Sequence, residues 1–392
     1  MKQLKHTIRM ASLMIGLLAV PAAAATPALA EVSRQPDKPA PSFVTMAGNG
    51  YFGEDNGAAQ SASFRTPMGI VLHPDGSVYI ADTKSHLIRK LFQGNISTYA
   101  GFTFSKDPSG LPIGTLFDGS ANLSVFQEPQ GLALDSQGNL YVADSGNHSI
   151  RKIDAQGVRT IGGDGVMGSR DGNTGKDARF HSPADLAVAA DGTVYVSDTL
   201  NHVIRKIAVD GTVTTLNSPS ERVVELSPGD VETAGDFQDG PLETAKFNEP
   251  SGICLDAKGN LYVSDTGNQR IRYIDLQQKT VTTVAGQTSN TYAPGNLYMD
   301  GGNTDGDAAT AQFQFPRGIA LTAEGGLVVA DSLNHAVRYL HDGKVTTLTS
   351  ASSPPLQLPV DVAVDPDGAI WIVDAFGNAI MQMQANQKDA GK

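Results

Sequence analysis

The chain has 392 residues, with 29 basic and 41 acidic side chains, so its formal net charge is −12. Such an acidic chain lacks the positive footprint that neutralises phosphates, which argues against binding to nucleic acids. The single cysteine, Cys254, excludes an internal disulfide, and its apolar neighbours favour a small buried hydrophobic residue over a nucleophile.

Residues 1–30 are predicted to be a signal peptide. Three basic residues precede an apolar run that is shorter than a membrane span, and a small-residue cleavage signal ends at Ala30. Cleavage after Ala25 is the alternative. Removal of residues 1–30 takes away three basic and no acidic residues, so the mature net charge is −15. We expect a linker over 31–41, no membrane span in the mature form, and export to the periplasm or the extracellular space of a bacterium.

Six similar units follow along the chain. Each reads as an apolar strand, a tight turn of the Asp-Gly kind, and a second strand that ends at aspartate. The units occupy residues 64–82, 126–144, 180–198, 247–265, 313–331 and 356–374. A third strand begins in segments such as "NHSIRKI" (147–153), and a fourth in segments such as "TVTTVAG" (280–286).

Four antiparallel strands repeated radially predict an all-β fold, a six-bladed β-propeller over residues 42–384. The sixth unit stops after its third strand, near Met383, and "SFVTMAG" (42–48) resembles the missing fourth strand. We therefore expect the N-terminal strand to close the ring, which removes the open sheet edges. Residues 385–392 are predicted to be a flexible tail.

The repeat resembles the NHL repeat, named for an Asn-His-Leu-like triplet. The pattern P-x-G…G-x-L-Y-V-x-D-x-x-N-H-x-I-R is present almost whole, with Ser85 in place of its asparagine and Gln269 in place of its histidine. The resemblance implies a propeller of a family that includes scaffold proteins, RNA-binding proteins and some metal-dependent lyases. It also implies a distant similarity to gluconolactonase-like six-bladed enzymes. The fold alone does not distinguish among these functions, so the function has to be inferred from the residues of the site.

The repeated aspartates and histidines are interpreted as structural. A catalytic residue has no reason to be copied into every blade, whereas a residue that fixes a turn does. The histidines of different blades also point away from one another, too far from the axis to share one metal ion. The aspartates at the structural repeat positions are Asp82, Asp144, Asp198, Asp265, Asp331 and Asp374. We expect each aspartate to fix the turn by accepting the backbone N–H two residues later, and to form an ion pair with the arginine seven residues later.

Residues that break the repeat mark the candidate ligand site at the channel mouth. Aspartate replaces the glycine of P-x-G in the third and sixth blades, which face each other across the ring. The candidate ligand-binding residues are Gln130, His181, Asp185, Arg317 and Asp361. Arg317 either pairs with Asp361 of the next blade or orients an anionic group of a ligand. Local turn capping by the two aspartates is the alternative to a polar pocket.

No sequence motif here predicts catalysis or a cofactor. The segment "DGGNTDGD" (300–307) superficially resembles a calcium loop but lacks the glycine that the sharp turn requires, so turn chemistry is favoured. No cofactor is expected, and the presence of a metal is unknown. Calcium or zinc enters only under the enzyme hypothesis.

Long connections precede three of the blades, over residues 102–125, 219–246 and 287–312, on the face that carries the Asn-His loops. Because recognition usually lies on loops held by a rigid scaffold, this face is predicted to carry the site. Segment 219–246 is acidic, which indicates either solvation or a partner surface. The sequence favours a monomeric, non-catalytic recognition module that binds a protein, peptide or glycan. The alternative is a divalent-metal-dependent lactonase-like hydrolase or lyase at the channel mouth.

Overall fold

The structure is a computed structural model that describes residues 43–286, 291–348 and 355–383. The predicted signal peptide, linker and C-terminal tail lie outside the described residues. No helix within the described ranges is long and apolar enough to span a membrane.

Six antiparallel sheets form the blades of a β-propeller. In blades 1 to 5 the four main strands follow one another in space as they do along the chain, whereas blade 6 takes its outermost strand from the start of the described chain. Blades 1 to 3 comprise Pro67–Leu72, Val78–Asp82, Leu87–Phe92 and Asn95–Ala100; Pro129–Leu134, Leu140–Asp144, Ser149–Asp154 and Gly157–Gly162; and Asp185–Val188, Val194–Asp198, Val203–Ile207 and Val213–Thr215. Blades 4 to 6 comprise Pro250–Leu255, Leu261–Asp265, Arg270–Asp275 and Thr280–Ala285; Pro316–Leu321, Leu327–Asp331, Ala336–His341 and Lys344–Leu348; and Pro359–Val364, Ile370–Asp374, Ala379–Met383 and Phe43–Ala47.

Short elements complete the blades. Two-residue strands at Gly57–Ala58, Gly240–Pro241 and Gly306–Asp307 add to the outer edges of blades 1, 4 and 5. Single 3₁₀ turns follow the second strands at Thr83–Ser85, Ser145–Asn147, Thr199–Asn201, Thr266–Asn268 and Ser332–Asn334, and another lies at Gly175–Asp177. The strands Val223–Ser227 and Asp230–Thr233 pair only with each other among the described strands, outside the blades.

The N-terminal strand closes the ring, as the sequence predicts. Phe43–Ala47 is the outermost strand of blade 6 and pairs antiparallel with Ala379–Met383, with Phe43 opposite Met383 and Thr45 opposite Met381. The last blade is thus assembled from residues far apart along the chain.

The hydrophobic core consists of six clusters, each between two adjacent blades. For example, Ile80 of blade 1 and Ile380 of blade 6 belong to one cluster, and Val142 of blade 2 packs in the next. The first strands are apolar on both faces because they contact a neighbouring blade on each side. The cluster between blades 6 and 1 continues the series, so the core is a closed ring.

Glycine in the P-x-G triplet has a steric cause. A Cβ atom at Gly69 would lie 2.0 Å from the carbonyl oxygen of Gln130 in the next blade, and one at Gly252 would lie 2.2 Å from that of Arg317. Adjacent first strands therefore approach backbone to backbone around the axis. The two blades in which aspartate replaces this glycine must accommodate a side chain there.

Candidate functional site

The repeated aspartate holds each blade to its own buried arginine. Five Arg–Asp pairs have N···O distances of 2.5 to 2.8 Å, with no exposed side-chain surface in either partner. The pairs are Arg89–Asp82, Arg151–Asp144, Arg205–Asp198, Arg272–Asp265 and Arg338–Asp331. Each guanidinium also lies 4.8 to 5.4 Å from the ring centre of a buried phenylalanine. The predicted ion pairs are therefore present.

The expected hydrogen bond to a backbone N–H two residues on is wrong. The Asp144 carboxylate accepts the N–H of Gln127, 17 residues earlier, at 2.8 Å, and no side-chain cap forms at the following 3₁₀ turn. The carboxylate thus joins the chain that enters the blade to the end of the second strand. Burial raises the pKa of Asp144 above its usual value, although Arg151 opposes this effect.

The Asp-Gly segments before the blades also bind these arginines. Asp118 accepts from Arg151 at 2.8 Å and from the N–H and hydroxyl of Thr160 in the fourth strand. Asp171 and Asp305 repeat the arrangement. These contacts agree with a structural role. No group of three or more His, Cys, Asp or Glu side chains that could hold a metal ion is found within the described ranges.

The histidines of the repeat link neighbouring blades. The Nδ1 atoms of His86, His148 and His202 accept a backbone N–H from the next blade at 2.9 to 3.1 Å. Their backbones are left-handed, with φ between 52° and 58°. At this position Gln269 accepts the N–H of Phe315, and Asn378 accepts that of Thr66. These side chains therefore connect neighbouring blades through hydrogen bonds to the backbone. This arrangement explains the repeated histidine by structure alone.

The channel mouth is nearly filled. The middle residues of all six triplets line one cavity of about 20 Å³, together with three triplet glycines, Gly131, Gly252 and Gly318, and the two triplet aspartates. The middle residues are Met68, Gln130, Ala184, Ser251, Arg317 and Val360. A cavity of this volume holds about one water molecule.

Asp185 and Asp361 lie in this cavity and bridge to the next blade. The Asp185 carboxylate accepts the N–H of Ile253 at 3.0 Å, and that of Asp361 accepts the N–H of Ile70 at 2.9 Å. Burial raises the pKa of Asp361 to about 7. Burial, reinforced by the charge of Asp361, raises the pKa of Asp185 well above its usual value.

Arg317 and Gln130 come from opposite blades and meet at the axis. The Arg317 Nη2 atom lies 3.4 Å from the Gln130 Oε1 atom, a long hydrogen bond. No ion pair within 4 Å joins Arg317 to Asp361 in the described part of the chain. Burial lowers the pKa of Arg317, although the charges of Glu249 and Asp361 oppose this effect. Of the two alternatives for Arg317, the pairing with Asp361 is therefore wrong.

His181 does not line the cavity. Its ring packs edge-on against that of His148, with centres 5.7 Å apart, and the backbone N–H of His181 donates to the Asp198 carboxylate at 2.7 Å. The structure thus brings together four of the five candidate residues: Gln130, Asp185, Arg317 and Asp361. Ligand binding by these four stays a prediction.

The face that carries the channel mouth and the long connections also has exposed aromatic side chains, which the sequence analysis did not predict. Tyr51, Phe52, Phe102 and Phe104 are 77, 52, 48 and 53% exposed, and we call them the aromatic surface. They lie on the connections that enter blades 1 and 2. Their signal in the sequence is the presence of paired large apolar residues, "YF" and "FTF", in segments that carry no strand pattern.

A groove of about 880 Å³ lies between blades 4 and 5. Its lining includes Arg270, whose guanidinium is 3.8 Å from the ring centre of Phe237, with Asp239 and Asp307 nearby. Arg270 breaks the repeat, because the other blades carry a smaller uncharged residue after the His position.

Near the axis, burial raises the pKa of the Cys254 thiol, which fits the expected inert, apolar role.

Comparison with known proteins identifies the repeat. The sequence model of the family described as "NHL repeat" matches residues 126–153, 247–272 and 313–338, within blades 2, 4 and 5. NHL repeat-containing protein 2 of Bos taurus is 27% identical over 310 residues, which cover 74% of this chain and 40% of that protein. The chain spans less than half the length of the curated relatives it matches first.

Two solved structures share the fold. An auxiliary nutrient binding protein from Bacteroides thetaiotaomicron superposes with a TM-score of 0.60 at 12% identity, over 87% of this chain and 76% of that one. A gluconolactonase from Xanthomonas campestris gives a TM-score of 0.51 at 15% identity, over 88% and 89% of the two chains. The expected resemblance to NHL repeats is confirmed by the sequence match, and that to gluconolactonase-like propellers is confirmed at the level of the fold. The chain is therefore a six-bladed β-propeller that contains NHL repeats, matched in blades 2, 4 and 5.

Proposed function

We propose that this propeller is a non-catalytic recognition module that binds a partner protein through its loop-rich face. The aromatic surface carries the proposal. Four exposed aromatic side chains lie on two loops that the Glu54–Lys106 ion pair joins, and exposed apolar patches on soluble proteins mark interaction sites. Aromatic residues are also enriched where protein interfaces are most fully buried.

Ion pairs hold the aromatic surface in place. Glu54, two residues after Phe52, accepts from Arg65 at 2.6 Å and from Lys106 at 2.9 Å. Lys106 is two residues after Phe104, so the carboxylate joins the two loops. The Pro112 carbonyl further contacts His86 of blade 1 at 3.1 Å. Loops that are ordered before binding lose less conformational entropy on association, which favours affinity.

The lactonase-like alternative has less support from the geometry. A cavity of about 20 Å³ at the channel mouth leaves no room for a sugar lactone, whereas ligand pockets usually measure hundreds of Å³. The carboxylates of Asp185 and Asp361 already accept backbone N–H groups. An enzyme of this kind would need the mouth to open. Among the similar folds, one is named as a nutrient-binding protein and one as a gluconolactonase.

A photo-crosslinking experiment tests the proposal. A photoreactive phenylalanine analogue replaces Phe52 or Phe104 in the full chain, or Phe92 on the opposite face as the control. We expect a protein crosslink from positions 52 and 104 in cells of the source organism, and none from position 92. The double variant Phe52→Ser/Phe104→Ser should remain folded and lose the partner.

Other outcomes would assign other functions. Equal crosslinking from position 92 would remove the aromatic surface as the site. Glycan binding that disappears in the double variant would change the ligand class. Lactone hydrolysis by the purified chain with added calcium or zinc, abolished by Asp361→Ala, would establish the enzyme instead. The matched variant Arg317→Ala then reports whether the mouth binds an anionic group.

A further inference from the structure

The connection between blades 3 and 4 carries a two-stranded sheet of its own. Val223–Ser227 and Asp230–Thr233 pair antiparallel, and no other strand joins them among the described residues. We call this element the outer hairpin. Both edges of such a sheet present backbone groups to which a further strand can add.

The hydrogen-bond pattern shows which backbone groups point outward. The Ala234 N–H donates to the Arg222 carbonyl at 2.8 Å, so these two residues form a hydrogen-bonded pair. Antiparallel pairs alternate, and Val223–Thr233 and Glu225–Val231 are therefore non-hydrogen-bonded pairs. Their N–H and C=O groups point away from the partner strand, two residues on each edge.

The same four residues carry exposed side chains on one face. Val223 and Val231 are 58% and 62% exposed, and Glu225 and Thr233 are exposed beside them. Val224, on the other face, is buried. The outer hairpin thus presents two valines, one glutamate and one threonine next to open backbone edges.

The cation of the hairpin faces inward. Arg222 donates to the carbonyls of Gly235, Asn296 and Leu297 at 2.6 to 2.8 Å, and its guanidinium lies 3.6 Å from the ring centre of Tyr292. These contacts anchor the hairpin to the next long connection. Glu221 and Glu225 have no cationic partner within 4 Å among the described residues. The solvent-exposed side of the outer hairpin is therefore negatively charged.

We propose that the outer hairpin is a strand-docking site for an extended, basic segment of a partner protein. Main-chain hydrogen bonds along one edge supply affinity, and Lys or Arg side chains at alternate positions pair with Glu221 and Glu225. Like charges disfavour a second copy of this hairpin as the occupant. The site is separate from the aromatic surface, so the inference goes beyond the proposed function.

The backbone part of the proposal is tested with a labelled peptide of eight alternating Lys and Val residues, whose binding to the full chain is followed by fluorescence anisotropy. We expect saturable binding that is at least about tenfold weaker when alternate peptide amides are N-methylated, since each lost ladder hydrogen bond is costly. Val223→Pro and Val231→Pro each remove an outward N–H from one edge. Loss of binding in one of them identifies the edge. Val209→Pro, at an exposed turn far from the hairpin, is the matched control.

The charge part is tested with Glu221→Gln and Glu225→Gln, each of which should weaken binding by about two- to fivefold. Equal binding of the N-methylated peptide, equal binding of a Glu/Val peptide, or full binding by both proline variants would overturn the proposal. Concentration-dependent dimerisation that both proline variants abolish would assign the edge to a second copy. Phe52→Ser/Phe104→Ser should bind the peptide normally, so failure of the aromatic surface and of the hairpin are distinguishable.

Discussion

Arg151 shows how one residue connects several parts of a blade. Its guanidinium donates to Asp144 and Asp118, is fully buried, and lies 4.9 Å from the ring centre of Phe126. In blade 6 the equivalent positions hold Met381 and Leu356, while Asp374 accepts three backbone N–H groups instead. The arginine and the phenylalanine are thus exchanged together for an apolar pair.

Replacement of Arg151 alone should therefore be costly. Arg151→Met leaves two carboxylates without their cation, and we expect a loss of about 3–5 kcal/mol in the free energy of unfolding by urea. The control, Arg159→Met, removes an exposed arginine that pairs with Asp154 in the same blade and should cost about 0–1 kcal/mol. Equal effects of the two substitutions would contradict the role of burial.

The histidine of the repeat should be replaceable by an acceptor of similar reach. His148→Gln should change the free energy of unfolding little, because Gln269 already accepts the next blade's N–H in blade 4. His148→Ala removes the acceptor for the Ser182 N–H and should cost about 1–3 kcal/mol. The two urea midpoints check this, and a loss of partner binding in the folded Gln variant would speak against a purely structural histidine.

Asp361 should make stability fall as the pH rises. Its pKa is about 7 in the folded protein, above the 3.8 of an ordinary aspartate, so the folded state holds the proton more tightly. The resulting stabilisation is full below about pH 4 and is lost as the pH rises through about 7. Between pH 5 and 8, the wild type should lose more unfolding free energy than Asp361→Asn. Parallel curves would show that Asp361 does not titrate in this range.

At the scale of elements, the closing strand should decide the stability of blade 6. Deletion of residues 31–48 removes Phe43–Ala47 and exposes the outer edge of Ala379–Met383. We expect a sharp fall in Tm and a tendency to associate. Deletion of residues 31–42 is the control and should leave Tm unchanged. A chain without residues 31–48 that remains as stable and monomeric as the control would contradict closure by this strand.

Elements were largely predictable because the repeat states each of them several times. Asp-Gly turns, apolar first strands and the missing fourth strand of blade 6 are visible in one sequence. The hydrogen bonds of the aspartates were not, since Asp144 reaches Gln127 across the sheet and not along the turn. The outer hairpin has no counterpart in the described parts of the other connections, so no repetition signalled it.

At the scale of the whole molecule, the repeat predicts the ring but not what meets at its centre. Pairing of Arg317 with Asp361 of the neighbouring blade was one of two alternatives from the sequence, yet Arg317 contacts Gln130 from the opposite blade. The middle residues of the triplets point to the axis, where distances no longer follow blade order. The nearly filled mouth is a consequence of six side-chain volumes together, which no single unit contains.

The pairing of Phe43 with Met383 also has a consequence for the order of folding. Blades 1 to 5 are each continuous along the chain and can form from local hairpins, whereas blade 6 needs two segments some 340 residues apart. Closing a long loop is slow because its entropy must be overcome before the contacts form. Ring closure should therefore be the late step, and until then a newly made chain presents two unsatisfied strand edges to its surroundings.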